Sequence, residues 1–145
     1  MANSAYKDAQ GKNDSSRNAQ QYTDLDLFFG KKTVGSDVNK ITDIQAVKRS
    51  IRNLVLLNVY DKPFHPEIAG GITEMLFEPM TLVTAQILAR KVEDVIINFE
   101  PRARLIGVRA TPNLDRNEYE LTINFFVINA PTELVEFDLI LERLR

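Results

Sequence analysis

The chain has 145 residues, enough for one hydrophobic core of ordinary size and too few for two. Its net charge of −2 argues against non-specific binding to nucleic acid, which requires a basic field. The absence of cysteine excludes disulfides, thiolate metal sites and a cysteine nucleophile. No apolar run is long enough to span a bilayer, so we expect a soluble protein that assembles in the cytoplasm.

The N-terminal segment is rich in small and polar residues and has almost no large aliphatic side chains. Such a segment buries too little apolar surface to offset the entropy lost when its backbone is ordered. We therefore predict a flexible tail over residues 1–23 and a single domain over residues 24–145. An arm that becomes ordered against a partner is the alternative for the tail.

The predicted domain begins with a pattern of period two. Leu25 and Leu27 alternate with Asp24 and Asp26, which predicts a short half-buried strand with an apolar face. The glycines at 30 and 35 then indicate a loop.

A first helix is predicted from Thr42 or Asp43, both candidate N-caps, to about Val59. Its apolar residues recur at helical spacing and share one face: Ile44, Val47, Ile51, Leu54 and Val55. Its basic residues lie away from that face: Lys48, Arg49 and Arg52. Such a cluster is either the solvated side of the helix or a patch that faces a partner, and the sequence leaves both readings open.

Prolines and glycines separate this helix from a second one. Pro63 and Pro66 remove backbone donors, and Gly70-Gly71 indicates a tight loop. The second helix is predicted from about Thr81 to Asn98. Its broad apolar face consists of Leu82, Ala85, Leu88, Ala89, Val92, Val95, Ile96 and Phe99.

Three strands of alternating apolar and polar residues are predicted over about 104–111, 118–128 and 133–142. Their apolar faces consist of Ile106, Val108 and Ala110, then Tyr119, Leu121, Ile123, Phe125 and Val127, then Val135, Phe137, Leu139 and Leu141. Turn-forming residues between the strands predict hairpins. Two helices on one face of this antiparallel sheet would bury both apolar surfaces, so the predicted class is α+β.

The residues that could perform catalysis are few. His65 is the only histidine and has no second ligand at metal-binding spacing, so we expect neither a metal site nor a cofactor. No glycine-rich phosphate loop is present. Two carboxylates can hydrolyse a glycosidic bond when they lie roughly 5–9.5 Å apart, but spacing in the sequence does not show that any two share a cleft. The candidates are Glu67, Glu74, Glu78 and Glu100. We expect no enzymatic activity.

Glu100-Pro101-Arg102, directly after the second helix, is the most unusual local feature. Proline restricts the backbone of Glu100, so the chain turns sharply between two opposite charges. The planar guanidinium of Arg102 can bind a carboxylate or backbone carbonyls with two hydrogen bonds. The turn is either a helix end stabilised by an arginine near the dipole or a binding element.

Five short motifs follow one another in an order and spacing that resemble one protein family. They are Ile51-Arg52-Asn53-Leu54-Val55-Leu56-Leu57, Lys62-Pro63-Phe64-His65-Pro66, Gly70-Gly71, Leu76-Phe77-Glu78-Pro79 and Phe99-Glu100-Pro101-Arg102. That family is the baseplate wedge and tail-sheath initiator proteins of contractile phages, once labelled lysozyme-like and also found in type VI secretion baseplates. The resemblance covers about residues 24–142. Tyr60-Asp61-Lys62 and Phe99 depart from it, since Gly-Glu-Arg and tryptophan are common at those places.

The resemblance implies two binding surfaces. Glu100, Pro101 and Arg102 would dock on a helical bundle of larger wedge subunits. The C-terminal sheet would accept extended arms of the first ring of sheath subunits, with contacts from Tyr119, Phe126, Val135, Phe137 and Leu139. It also implies contact with the tail tube, six copies around it, and a place in the virion baseplate after assembly in host cytoplasm. No nucleic-acid or membrane partner is expected.

Two other functions stay open at this stage. A peptidoglycan hydrolase is suggested by the old lysozyme-like label and by the glutamates. A small regulatory anti-adaptor is the other, because a bacterial protein that protects a stress sigma factor resembles the same family.

Overall fold

The computed structural model describes residues 22–30 and 37–143. Within these ranges the chain forms, in order, β1 (Thr23–Leu25), β2 (Lys40–Thr42), α1 (Asp43–Leu56), α2 (Ile72–Met75), α3 (Leu82–Phe99), β3 (Ala103–Asn113), β4 (Glu118–Val127) and β5 (Ala130–Glu142). The predicted α+β class is confirmed. Most of the predicted flexible tail, residues 1–21, lies outside the described residues, and the tail stays a prediction.

The main sheet has the strand order β3-β4-β5, and both pairings are antiparallel. The helices α1 and α3 pack against one face of this sheet and against each other. Their apolar faces and the inward side chains of the strands form a single core. Its largest fully buried side chains are Tyr119, Phe125, Ile51, Ile72, Leu88 and Ile96. Because β4 is the central strand, its alternate residues are the most completely buried of the three strands.

The ends of the long helices follow from local chemistry. The Thr81 side chain accepts a hydrogen bond from the Thr84 backbone N–H at 3.1 Å, so Thr81 caps α3. The helix ends at Phe99, because Glu100 leaves the helical conformation in front of a proline. Helix α1 ends at Leu56, short of the predicted Val59.

The prediction for β3 is wrong in one respect. The register shifts between Leu105 and Gly107, where a β-bulge inserts one extra residue. Ile106 is therefore 57% exposed, whereas Leu105, Val108 and Ala110 pack against the core. The strand does not place Ile106 on one face with Val108 and Ala110, because a bulge reverses the alternation of the residues that follow it.

The first strand turns its acidic side inward, which is the reverse of the predicted face. Leu25 is 62% exposed, and Leu27 is also exposed, whereas Asp24 and Asp26 are partly buried. The two aspartates form ion pairs with arginines of the domain, and these pairs set the orientation of the segment. Strand β1 pairs with β2, which the sequence did not predict, in a ribbon separate from the main sheet.

Candidate partner-binding site

The Glu-Pro-Arg turn connects the longest helix to an edge strand of the sheet. The Glu100 backbone N–H donates to the Ile96 carbonyl at 2.9 Å and completes the last turn of α3. The Ala103 backbone N–H donates to the Glu100 carbonyl at 3.1 Å, and β3 begins there. Between these two bonds the chain reverses within three residues, which leaves Pro101 exposed at the tip.

Arg102 binds two carboxylates, one from the neighbouring Glu100 and one from Asp24, which is distant in the sequence. Its Nε donates to Glu100 Oε1 at 2.7 Å, and its Nη2 donates to Glu100 Oε2 at 3.0 Å. Its Nη1 lies 3.1 and 3.0 Å from the two carboxylate oxygens of Asp24 in β1. We call Asp24, Glu100 and Arg102 the arginine clamp. It fastens the β1–β2 ribbon to the end of α3 through charge-assisted hydrogen bonds.

The clamp is unevenly buried. Glu100 is 2% exposed, whereas the side chain of Arg102 is 24% exposed and that of Asp24 is 37% exposed. Burial by itself raises the pKa of Glu100, but hydrogen bonds from Arg102 and Ser50 outweigh it and hold the pKa below its usual value. Hydrogen bonds to Glu100 raise the pKa of Arg102 in turn. Both groups are charged at neutral pH, so the clamp is a genuine ion-pair network.

Tyr22 extends the clamp toward helix α1. The Arg102 Cζ lies 5.8 Å from the centre of the Tyr22 ring, within range of a cation–π contact. The Tyr22 backbone N–H donates to Asp43 Oδ1 at 3.1 Å, and Asp43 Oδ1 also accepts from Asn129 Nδ2 at 2.7 Å. The turn is therefore joined to the start of α1 and to the β4–β5 connection. The sequence analysis identified Glu100 and Arg102 but missed Asp24. The feature that could have indicated Asp24 is its place as an acidic residue in a segment where acidic and apolar residues alternate.

An apolar surface lies next to the clamp. We call β1 and the four residues after it, up to Phe29, the β1 segment. Four of its apolar side chains are exposed, namely Leu25, Leu27, Phe28 and Phe29. A cleft of about 390 Å³ runs between this segment and α1 and is lined in part by Asp24, Ile41 and Ser50. Arg49 pairs with Asp26, and its Cζ lies 4.4 Å from the centre of the Phe28 ring. Of the basic cluster on α1, Arg49 is thus used within the chain, whereas Arg52 is exposed.

The strand residues expected to contact a sheath lie mostly in the core. Tyr119, Val135 and Leu139 are buried, and Phe126 and Phe137 are half-buried. Tyr119 and Phe126 also belong to β4, the central strand. A strand can be added only at β3 or β5, which are the edges of this sheet within the described residues. The backbone of an edge strand is therefore the part of this sheet that another chain can reach.

The described residues offer little support for catalysis. His65 is in an exposed loop, where its Nδ1 lies 3.0 Å from Glu67 Oε1. A general acid in glycoside hydrolysis needs a raised pKa, but that of Glu100 is lowered. Residues 22–30 and 37–143 contain no cluster of side chains that could hold a metal ion. None of the helices in these ranges is both long and apolar enough to cross a bilayer.

The chain resembles a known baseplate protein in sequence. It is 29% identical over 118 residues to the baseplate wedge protein gp25 of Enterobacteria phage T4, which covers 81% of this chain and 89% of the phage protein. This chain is homologous to that wedge protein. No protein-family model matches the chain.

Two solved structures share the fold of this homologue of the wedge protein. The first is a chain from Geobacter sulfurreducens that is called a tail lysozyme. It superposes with a TM-score of 0.64 and 20% identity, and the match covers 70% of this chain and 91% of the Geobacter chain. A chain in the baseplate of the anti-feeding prophage superposes with a TM-score of 0.59 and 17% identity, covering 86% of this chain and 88% of its own. At these identities the likeness establishes the fold and leaves activity open.

Proposed function

We propose that this protein is a structural subunit of the baseplate of a contractile tail. The observation that carries the proposal is its homology to a phage wedge protein over most of both chains. A fold shared with a chain of the anti-feeding prophage baseplate agrees with it. In this proposal the protein assembles in host cytoplasm, lies in the virion baseplate in six copies, and contacts wedge subunits, the sheath and the tail tube.

The first proposed surface is the Glu-Pro-Arg turn, which would dock on a helical bundle of larger wedge subunits. Glu100 is too deeply buried to reach a partner, so its role is to fix the orientation of Arg102. Pro101 and the exposed edge of the guanidinium are the parts that a partner can contact. The exposed apolar side chains of the β1 segment lie beside them and enlarge the surface.

A substitution at the tip of the turn tests this docking while all three clamp residues are retained. Pro101→Arg places a long side chain on the exposed tip, and we expect it to prevent co-migration with purified wedge subunits in size-exclusion chromatography. Pro79→Arg is the matched control, because Pro79 is an exposed proline at a distance along the chain. Equal wedge binding by the two variants would contradict docking through the turn.

The second proposed surface is the C-terminal sheet, which would start the sheath by β-strand addition. Strand addition uses backbone hydrogen bonds of an edge strand, and the long strands β3 and β5 form the edges. The test is sheath polymerisation in the presence of assembled wedges. We expect wedges that contain this protein to shorten the lag before sheath assembly, and wedges without it to leave the lag unchanged. An equal lag in both would contradict initiation.

We also propose that the protein is not an enzyme, against the alternative of a peptidoglycan hydrolase. The lowered pKa of Glu100 supports this, because a carboxylate held in an ion pair is a poor proton donor. The check is a cell-wall clearing assay with the folded protein. Clearing that disappears in Glu100→Gln would overturn this part of the proposal.

A further inference from the structure

The two edges of the main sheet differ in how they are protected. Successive residues of an antiparallel strand direct their backbone N–H groups alternately toward each neighbour. Two bonds at the ends of the ladder show which residues direct their amides toward a neighbouring strand. The Ile128 N–H donates to the Arg102 carbonyl at 3.0 Å, and the Arg143 N–H donates to the Asn117 carbonyl at 2.8 Å. The even-numbered residues of β3 after its bulge, and the even-numbered residues of β5, therefore point their amides away from β4.

The free edge of β3 is closed. The Val108 N–H donates to Glu93 Oε1 of α3 at 3.1 Å, so this outward amide is already bonded. Pro112, two outward positions later, has no N–H at all. The bulge at Ile106 interrupts the edge on the other side of Val108. A bonded amide, a proline and a bulge are devices that prevent a further strand from pairing with an edge.

The free edge of β5 has none of these devices over residues 134–142, whereas Pro131 and an irregularity in the register lie at the start of the strand. Over residues 134–142 the strand pairs with β4 without a register shift, and its outward amides include those of Glu136, Asp138, Ile140 and Glu142. Within the described residues, no hydrogen bond joins these amides to a group outside the ladder. Beside this edge, a groove of about 550 Å³ separates the start of β5 from α1 and is lined in part by Ile44, Lys48 and Val135. Phe137 is only half-buried, so the core side of β5 is incompletely covered.

Charge defines what this edge can accept. The outward-facing side chains of β5 include Glu136, Asp138 and Glu142, and all are exposed. Opposite charges directly across two strands attract, and like charges repel. Antiparallel pairing of two β5 edges would set Glu136 against Asp138 or Glu142 in several registers, which disfavours self-association. A strand that carries basic residues at alternate positions would instead pair its cations with these carboxylates.

We propose that the β5 edge, and not the β3 edge, is the site of strand addition, and that its partner is an extended segment in which basic and apolar residues alternate. The basic residues face Glu136 and Asp138, and the apolar residues enter the groove beside α1. This inference rests on the proposed role in sheath initiation and specifies which edge performs it. Docking of the β3 edge is prevented by Glu93 and Pro112.

Labelled peptides test the site directly. The probe is a peptide of about eight alternating lysine and valine residues, long enough for a strand of ordinary length. Its controls are an alternating glutamate and valine peptide and a peptide with all lysines before all valines. We expect fluorescence anisotropy with the full chain to show binding of the alternating basic peptide about tenfold tighter than either control, because several cross-strand charge pairs contribute together.

Matched proline variants identify the edge. Ile140→Pro removes one outward amide of β5 without breaking the β4–β5 ladder, and we expect it to weaken peptide binding about tenfold, since lost backbone bonds add. Ala110→Pro removes an outward amide of β3 and should leave binding unchanged. The double variant Glu136→Lys with Asp138→Lys should reverse the preference between basic and acidic peptides. Circular dichroism and thermal melting establish that each variant is folded.

Three outcomes would overturn the inference. One is loss of binding in Ala110→Pro with retention in Ile140→Pro, which would place the partner on the other edge. Another is a peptide preference that the charge reversal does not move. The last is equal binding of all three peptides. Sheath nucleation by the wild-type protein is a separate measurement, so the choice of edge can fail while the proposed function stands.

Discussion

The arginine clamp and the β5 edge are two surfaces built on opposite principles. The clamp uses side chains from residues that are 78 positions apart in the sequence, and all of its charged groups are satisfied within the chain. The β5 edge uses backbone groups of one continuous strand, and its outward amides are unpaired within the described residues. A side-chain site is therefore sensitive to single substitutions, whereas a backbone site tolerates most of them and responds to proline.

This difference predicts how stability and binding separate. Substitutions in the clamp remove buried charge pairs and should destabilise the whole domain. Substitutions along the sheet edges remove exposed groups and should change association while the domain stays folded. Four of the predictions that follow probe this contrast, and a fifth concerns the buried Tyr119 of the central strand. They run from the largest expected change in the free energy of unfolding to the smallest.

Arg102→Ala should have the largest effect on stability. It leaves the carboxylate of Glu100 buried and without its partner, and breaking a buried pair in this way costs about 3–5 kcal/mol. Urea unfolding followed by circular dichroism measures the loss. The control is Arg104→Ala, an exposed arginine on the next strand, which should change stability by less than about 0.5 kcal/mol. A similar small change in both variants would contradict the clamp.

Glu100→Gln should cost about 2 kcal/mol at neutral pH, because it weakens the charged hydrogen bonds of Arg102. The pKa of Glu100 is lowered from an ordinary value of 4.5, so its stabilising effect is complete above that value and is lost as the pH falls through the lowered pKa. Unfolding measured from neutral pH to below pH 4 should therefore show the two proteins converging. A constant difference over this range would show that ionisation of Glu100 is not the cause.

Asp24→Asn should cost about 0.5 kcal/mol, since the Asp24 carboxylate is partly exposed and solvent screens its pair with Arg102. The loss should disappear in about 1 M salt, where the screening length falls to roughly 3 Å. Chemical unfolding at two salt concentrations provides the measurement. A loss that persists at high salt would mean that packing, not charge, holds the β1–β2 ribbon.

Glu93→Ala should leave global stability nearly unchanged but open the β3 edge. The Val108 amide loses its acceptor, so its hydrogen exchange should accelerate by about tenfold, which corresponds to one hydrogen bond of ordinary strength. Glu93→Gln is the conservative control, because its carbonyl oxygen can still accept the bond. Unaltered exchange in Glu93→Ala would contradict protection of β3 by this side chain.

Tyr119→Phe should have the smallest effect, within about 0.5 kcal/mol of the wild type. The ring is completely buried, and its hydroxyl has no hydrogen-bond partner within the described residues, so the loss of that hydroxyl removes no bond seen there. Thermal unfolding compares the two proteins. A loss above about 1.5 kcal/mol would reveal a hydrogen bond to a residue outside the described part.

Much of the fold could be predicted from the sequence because periodicity reports burial directly. The apolar spacing of α3 and the alternation in β4 and β5 each identified an element and its buried face. The prediction failed for β3 because a bulge reverses alternation without a strong local signal. It failed for β1 because the aspartates face arginines that are distant in the sequence.

The sequence by itself determined the α+β class, the two long helices, the C-terminal hairpins and the turn at Glu100-Pro101-Arg102. These features depend on local propensity, proline geometry and the pattern of apolar residues, which are all properties of neighbouring positions. Only the tertiary structure decided that Asp24 completes the clamp, that Glu93 closes one edge of the sheet, and that β5 stays open. Those contacts join residues from separate elements, and their energy depends on distance and burial. The order of residues along the chain does not specify either quantity.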